Sequence, residues 1–176
     1  MRIVAGNLRG HHFDSPKNAK THPMSDKMRG ALFNMLGDIE GLTVFDAFGG
    51  SGALSFEAIS RGAKSAIITE VDKYAWAVIK QNSDKLKVNT QVKVIRANTT
   101  EWSKNNYETK FDLVICDPPY DKIKIDQLRT LTNNVKNGGM LILSLPSKII
   151  APVFETFELL RSSNYGDGSL AFYRKI

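Results

Sequence analysis

Four consecutive residues, Asp117-Pro118-Pro119-Tyr120, follow the apolar run Leu113-Val114-Ile115-Cys116. The two prolines fix φ and remove two backbone donors. What remains to face a pocket is a set of carbonyl and carboxylate acceptors, with the Tyr120 ring as a flat stacking surface. Acceptors beside a stacking face suit a planar amine, such as the exocyclic amino group of a nucleobase. A rigid turn with a buried aromatic is the structural alternative.

A second candidate is the glycine-rich stretch Asp46-Ala47-Phe48-Gly49-Gly50-Ser51-Gly52-Ala53-Leu54. Glycines between a strand and a helix let backbone approach a ligand closely. The stretch lacks the Gly-Lys-Ser/Thr ending of a phosphate loop, which argues against nucleotide triphosphate hydrolysis. Gly50-Ser51-Gly52 fits the first half of a dinucleotide fingerprint, but Ser55 stands at the third glycine position. The alternative is a tight structural turn. Glu70, about 20 residues past this loop, has the offset of an acid that accepts hydrogen bonds from ribose hydroxyls. A surface carboxylate capping the next helix is the competing reading, and Asp72 fits that role better.

The remaining chemically capable residues carry less. Cys116 reads as a small core residue. His11 and His12 are adjacent and so point to opposite faces of a strand, which suits exposure or polyanion contact better than metal ligation. Trp76 and Trp102 read as core, and Phe48 either packs under the sheet or walls the ligand site.

These motifs need elements to hold them. Arg2–Asn7 and Arg9–Phe13 read as a small hairpin, followed by a polar loop over 14–23. Ser25 or Asp26 caps a helix that carries Met28, Ala31, Leu32, Met35 and Leu36 and ends at Gly37. From Leu42 strands and helices alternate. Strands are predicted at 43–46, 65–69, 92–96, 111–116, 140–145, 154–160 and 170–174. Helices are predicted at 51–61, 73–86 and 125–135, with a short one after Asn98. Alternation implies a mostly parallel, doubly wound sheet of seven strands, its last two forming an antiparallel edge hairpin. Ligands of such sheets bind at the carboxyl ends of the strands, where all three motifs fall.

The chain has 176 residues, 42% hydrophobic and 24% charged, which excludes a disordered or fibrous protein. It reads as one α/β domain, with a basic hairpin and loop over 1–24 and a Rossmann-like core over 25–176. No run of about 20 apolar residues is present, so no membrane span is expected. The N-terminus lacks a signal-peptide pattern, and one cysteine excludes an internal disulfide or a multi-cysteine zinc site. A cytoplasmic protein is expected. The net charge is +6. Residues 1–29 hold six Lys/Arg and two Asp, and residues 30–176 eighteen Lys/Arg against sixteen acids. The positive excess is concentrated in the first segment. Such a segment favours a polyanionic partner or keeps a lysine-rich surface soluble.

Together the loop, Glu70-Val71-Asp72 and the Asp-Pro-Pro-Tyr tetrad resemble the motifs of class I S-adenosylmethionine-dependent methyltransferases. Met1–Phe13, Ser25–Asn34 and the stretch FDAFGGSGALSFEAISRGA are similar to the RsmD-like family of bacterial 16S rRNA guanine-N2 methyltransferases. The resemblance covers essentially the whole chain. It departs at His22-Pro23-Met24, where the family has Arg-Pro-Thr, and at Gly30, where the family often has glutamate. The resemblance implies S-adenosylmethionine as cofactor and 16S rRNA, free or in an assembling small subunit, as partner. The backbone of Asp46, Ala47, Phe48, Gly49, Ser51 and Gly52 would cradle the methionine part. Glu70 would hold the ribose and Val71 and Asn98 the adenine. Asp117, Pro118, Pro119 and Tyr120 would form the catalytic turn, with Asp117 also near the cofactor. Arg2, Arg9, His22, Lys27 and Arg29 would hold RNA phosphates. A sulfonium methyl is already electrophilic, so no metal is expected, and a monomer is expected because no interface is advertised. The rivals are a DNA adenine or cytosine amino-methyltransferase, for which the chain lacks a target-recognition region, and a non-catalytic RNA-binding assembly protein, against which the intact loop and tetrad argue.

Overall fold

The computed structural model describes residues 1–17 and 24–176. Helix α1 (Asp26–Leu36) starts at Ser25, whose side chain accepts from the Met28 N–H at 3.2 Å, and stops at Gly37. Strand β1 (Thr43–Asp46), helix α2 (Ala53–Ser60), β2 (Ser65–Glu70), α3 (Lys73–Lys85), β3 (Val92–Arg96), α4 (Thr99–Asn105), β4 (Phe111–Cys116), α5 (Ile125–Leu131), β5 (Val135–Pro146), β6 (Phe157–Tyr165) and β7 (Gly168–Lys175) follow in order. The seven strands form one sheet in the order β3-β2-β1-β4-β5-β7-β6. β1 to β5 are parallel, while β7 runs antiparallel between β5 and β6. This is the doubly wound sheet with an antiparallel edge hairpin that the alternation predicts. The strand order reverses between β1 and β4, which puts a ligand crevice at their carboxyl ends.

The central strands are buried on both faces, as parallel strands covered by helices must be, while the edge strands β3 and β6 are largely uncovered. Along β4, Leu113 and Ile115 face one core with Phe56, Ile68 and Ile79, and Val114 and Cys116 face the other with Phe45, Leu128 and Leu143. Successive residues thus divide between the two layers, as the pleat requires. Among the described residues no helix is long and apolar enough to cross a membrane.

Several boundaries differ from the sequence expectation: β5 starts at Val135, β6 runs to Tyr165, β7 spans Gly168–Lys175 and α2 spans Ala53–Ser60, and three differences have a visible cause. The helix expected over 125–135 ends at Leu131 and passes through a 3₁₀ turn into β5. Asn134 is fully buried there and its amide donates to the carbonyls of Asn106 and Thr109, which fixes the turn. β6 begins at Phe157 rather than Phe154. Phe154 instead packs edge-on against Phe157 and Tyr173. The amino-terminal hairpin is narrow: one bridge, Arg2 with His12, plus the bonds Ile3 N–H to His11 O, Gly10 N–H to Ile3 O and Phe13 N–H to Met1 O. Residues 4–8 do not extend the ladder because α2 takes their donors. Val4 and Ala5 N–H groups go to the Glu57 carboxylate, Asn7 N–H to Ser60 O and Leu8 N–H to Ser60 Oγ. Gly6 makes this approach possible, since a Cβ there would lie 1.8 Å from Ser60 O.

Candidate active site

An open cleft of about 1710 Å³ lies at the carboxyl ends of the central strands, lined by the glycine loop, Glu70–Asp72, Asn98 and the whole tetrad. The sequence thus folds its three motifs into one place. The glycine loop leaves β1 and lies flat on the sheet end. Gly49 N–H donates to Thr69 O, and a Cβ at Gly49 would sit 2.6 Å from the Ile68 Cγ2. Gly52 has φ +78° and a Cβ there would lie 2.7 Å from the Phe56 ring, so only glycine turns the chain into α2 at this point. Phe48 does both things expected of it, packing on the second core layer and lining the cleft.

Glu70 is held rigidly. One carboxylate oxygen accepts from Gly50 N–H and the other from Asp72 N–H, both at 2.8 Å. Each oxygen keeps a further lone pair for a ligand hydroxyl. Asp72 caps α3 through the Ala75 N–H, as the competing reading of this segment expects. Val71 beside them is 66% exposed, an uncovered apolar side chain on the cleft rim. Asn98 lines the cleft but spends its Oδ1 on capping α4, accepting from Thr100 and Glu101 N–H.

Glu70 and Asp117 line the cleft, and a third carboxylate, Asp46, is buried at the end of β1. Asp46 is 1% exposed and accepts from Ser55 Oγ at 2.9 Å, while its Oδ1 has no partner. Burial pushes its carboxyl up to about 7, with Asp117 and Glu70 adding to the push and the Ser55 bond opposing it. Burial also raises Asp117 to about 6, against the favourable Ser144 hydroxyl. Among the described residues Asp46, Glu70 and Asp117 take part in no ion pair. Converging carboxylates with no internal counter-charge favour a cationic ligand. Tyr120 is 38% exposed, with its hydroxyl 3.1 Å from Ser144 Oγ. Cys116 is fully buried in the core and its thiol is pushed up by burial, in keeping with a packing role.

The expected phosphate contacts do not form one surface. Arg29 is a correction: it is fully buried. Its guanidinium donates to Asp26 Oδ1 and Arg2 O at 2.8 Å and stands 3.6 Å from Glu57. Glu57, also buried, receives Arg61 at 2.8 Å. Arg29 lies on the core face of α1, three residues before Leu32, and a charge can sit there only because two acids and a carbonyl surround it. Arg2 is exposed and paired with Asp26 at 3.1 Å. Lys27 is exposed in the first turn of α1, next to Ser25 and Met28, which line the cleft. Arg9 is exposed beside the turn that packs on Ser60, at the end of α2 remote from the glycine loop. His22 lies outside the described residues.

Sequence reasoning missed Ser55, Ser144 and Gly168. Ser144 is the one polar residue in the buried run Leu141–Leu145 and sits near a strand's carboxyl end, which is a legible signal. Ser55 was noted only as a departure from glycine, whereas its hydroxyl serves Asp46. Gly168 carries no local signal, because its role depends on a ring from the turn after β4: a Cβ there would collide with the Tyr120 hydroxyl.

The family model described as "Conserved hypothetical protein 95" matches residues 1–174. The chain is similar to the ribosomal RNA small subunit methyltransferase D of Haemophilus influenzae, with 32% identity over 99% of this chain and 93% of the relative. Similarity to the protein of the same name from Escherichia coli strain K12 is 32% over 80% of this chain and 69% of that one. Among solved structures, yhhF from Escherichia coli superposes with a TM-score of 0.86 at 26% identity, covering 99% of this chain and 97% of the other.

Proposed function

We propose, from the premise that this chain belongs to the conserved hypothetical protein 95 family, the RsmD-like family its motifs resemble, that it moves a methyl group from S-adenosylmethionine to the N2 amino group of a guanine in bacterial 16S rRNA. The observation that carries the reading is the meeting of the Asp117 turn with the glycine loop and Glu70 in one cleft, with Asp46 buried at the end of β1. S-adenosylmethionine supplies a methyl group on a positively charged sulfur.

The residues present fit that cofactor. The loop from Asp46 to Gly52 offers backbone for the methionine part, the Asp46 Oδ1 lacks a partner, and Glu70 is preset by two N–H groups. Val71 offers an apolar platform for the adenine and Asn98 stands at its edge. On the substrate side, Asp117 and the Pro118 carbonyl accept hydrogen bonds from the guanine amino group. That nitrogen is a poor nucleophile, because its lone pair is delocalised into the ring. Two acceptors orient the amino group and stabilise positive charge growing on nitrogen. Tyr120 stacks on the base, and Pro119 keeps the turn rigid. Alignment of this kind supplies roughly 7–11 kcal/mol of barrier reduction. Extruding the base costs a few kcal/mol, less in an unpaired loop. Lys27, beside the cleft-lining Ser25 and Met28, and Arg2, paired with Asp26, are the phosphate contacts retained in this reading.

The test is incubation with labelled S-adenosylmethionine and unmodified small-subunit rRNA, free and in assembled subunits, with DNA in parallel, followed by mass spectrometry of the nucleosides. N2-methylguanosine at one RNA position is the expected product. Label in DNA adenine or cytosine would replace the proposal with DNA amino-methylation. Cofactor binding without transfer to any of these substrates would reject them as targets, and the absence of both binding and transfer would favour a non-catalytic RNA-binding protein.

A further inference from the structure

Ser144 sits where β5 passes the tetrad. In the β4–β5 register Cys116 is opposite Leu143, so Ser144 lies beside Asp117. It is 2% exposed and the one residue other than Leu or Ile in the buried run Leu141–Leu145. A buried hydroxyl in such a place needs partners. Its Oγ lies 3.1 Å from the Tyr120 hydroxyl, and the strand register sets it beside Asp117, whose ionised carboxyl it favours. A hydroxyl has one proton to give and two lone pairs to receive. If Asp117 is ionised it accepts the Ser144 proton, and Tyr120 then donates to Ser144.

We propose that Ser144 is a positioning residue that keeps Asp117 ionised and fixes the Tyr120 ring, so that the acceptor and the stacking face of the tetrad are set by one hydroxyl. The proposal rests on the reading of Asp117 as the amine acceptor. The relay Tyr120 O–H to Ser144 to Asp117 polarises in one direction. Burial opposes charge on Asp117, and the carboxylates of Asp117 and Glu70 in turn oppose charge on Asp46 at the end of β1. The Tyr120 hydroxyl abuts Gly168 of β7, where an added Cβ would collide with it, so it has little room on that side to leave Ser144. No lysine or arginine pairs with Asp117 among the described residues, which leaves the hydroxyl as the group that offsets burial.

The test reads Asp117 directly, independent of turnover. In protein carrying ¹³C-labelled aspartate, the side-chain carboxyl resonance of Asp117, assigned by its loss in Asp117→Asn, is titrated in wild type, Ser144→Ala, Ser144→Cys and Ser144→Thr. The midpoint is expected to rise by about one pH unit in Ser144→Ala, by less in Ser144→Cys, whose thiol is a weak donor, and to return towards wild type in Ser144→Thr. The acid limb of methyl transfer should move with it. An unchanged midpoint in Ser144→Ala, or in Ser144→Cys if the alanine variant does not fold, overturns the proposal. A wild-type protein that titrates as expected but transfers no methyl group would instead overturn the functional reading and leave Ser144's effect on Asp117 standing.

Discussion

Arg29→Met separates two roles that one arginine cannot have together. As a phosphate contact, Arg29 would be exposed, and its loss would leave stability unchanged while lowering the slope of log affinity against log salt by about 0.7–0.9. The structure requires the reverse. The guanidinium is fully buried and contacts Asp26, Glu57, and the carbonyls of Arg2 and Met24. Methionine keeps the apolar stem but strips a buried acid of one cation and leaves two carbonyls short of a donor. Breaking a buried pair from one side costs about 3–5 kcal/mol. For a domain of this size that is about 6–20 °C in Tm, out of a total stability of about 5–15 kcal/mol. Urea and thermal unfolding followed by circular dichroism at pH 7 measure it, with the exposed Lys27→Ala as control within about 0.5 kcal/mol. RNA binding of the folded variant at low temperature should keep the wild-type salt slope. Unchanged stability together with a shallower slope would refute the burial argument and restore Arg29 to the RNA surface.

Asp117→Ala should lower methyl transfer by about 10²–10³-fold, the scale of losing one preorganised group at a developing charge, while calorimetry still detects cofactor binding. Full transfer would remove Asp117 from the mechanism. Gly168→Ala should reduce transfer to RNA with little loss of cofactor binding, because the added methyl meets the end of the rigid Tyr120 ring rather than a flexible chain. Wild-type kinetics in that variant would mean the ring has room to move. Lys136→Met tests a pair far from the cleft. Burial raises Asp112, but the Lys136 and Thr43 bonds outweigh it and hold the carboxyl at about 2. A depressed carboxylate contributes stability that is present above its unfolded value of 3.8 and lost as pH falls towards 2. With solvent screening of the half-exposed lysine, the variant should lose about 1–2 kcal/mol at pH 7, and the difference should close near pH 2. A gap that persists at pH 2 would assign the effect to packing.

The alternation of apolar runs with helical spacing specified the sheet, because the central parallel strands are buried on both faces and announce themselves as nearly continuous runs. The cleft was legible for the same reason: glycines, an acid and a proline pair at strand ends have few other uses. What sequence could not resolve depends on partners distant in the chain. Arg29 looks like any basic residue on an amphipathic helix, and Glu57 on another helix and the Arg2 carbonyl, both remote in sequence, join Asp26 to make it internal. The expected hairpin narrowed because the donors of Val4 and Ala5 have that same carboxylate to satisfy them. Ser144 was visible as a polar interruption of an apolar strand, but its meaning required knowing that β5 lies beside β4. The end of α5 was set by Asn134, whose amide reaches carbonyls more than twenty residues earlier.

The strand order carries a consequence for how the molecule is assembled. β6 has one partner, β7, and β7 is inserted between it and β5. In the order of synthesis β6 therefore emerges with nothing to pair with and must wait for a later strand. The parallel core from β1 to β5 can form meanwhile, with the edge of β5 exposed. When β7 docks, it closes that edge, supplies the glycine against which the Tyr120 ring rests, and gives β6 its place. Pairing between segments remote in sequence is slow compared with local structure. The wall beside Tyr120 is therefore completed by the last strand of the chain, whereas the glycine loop and Glu70 belong to its first half.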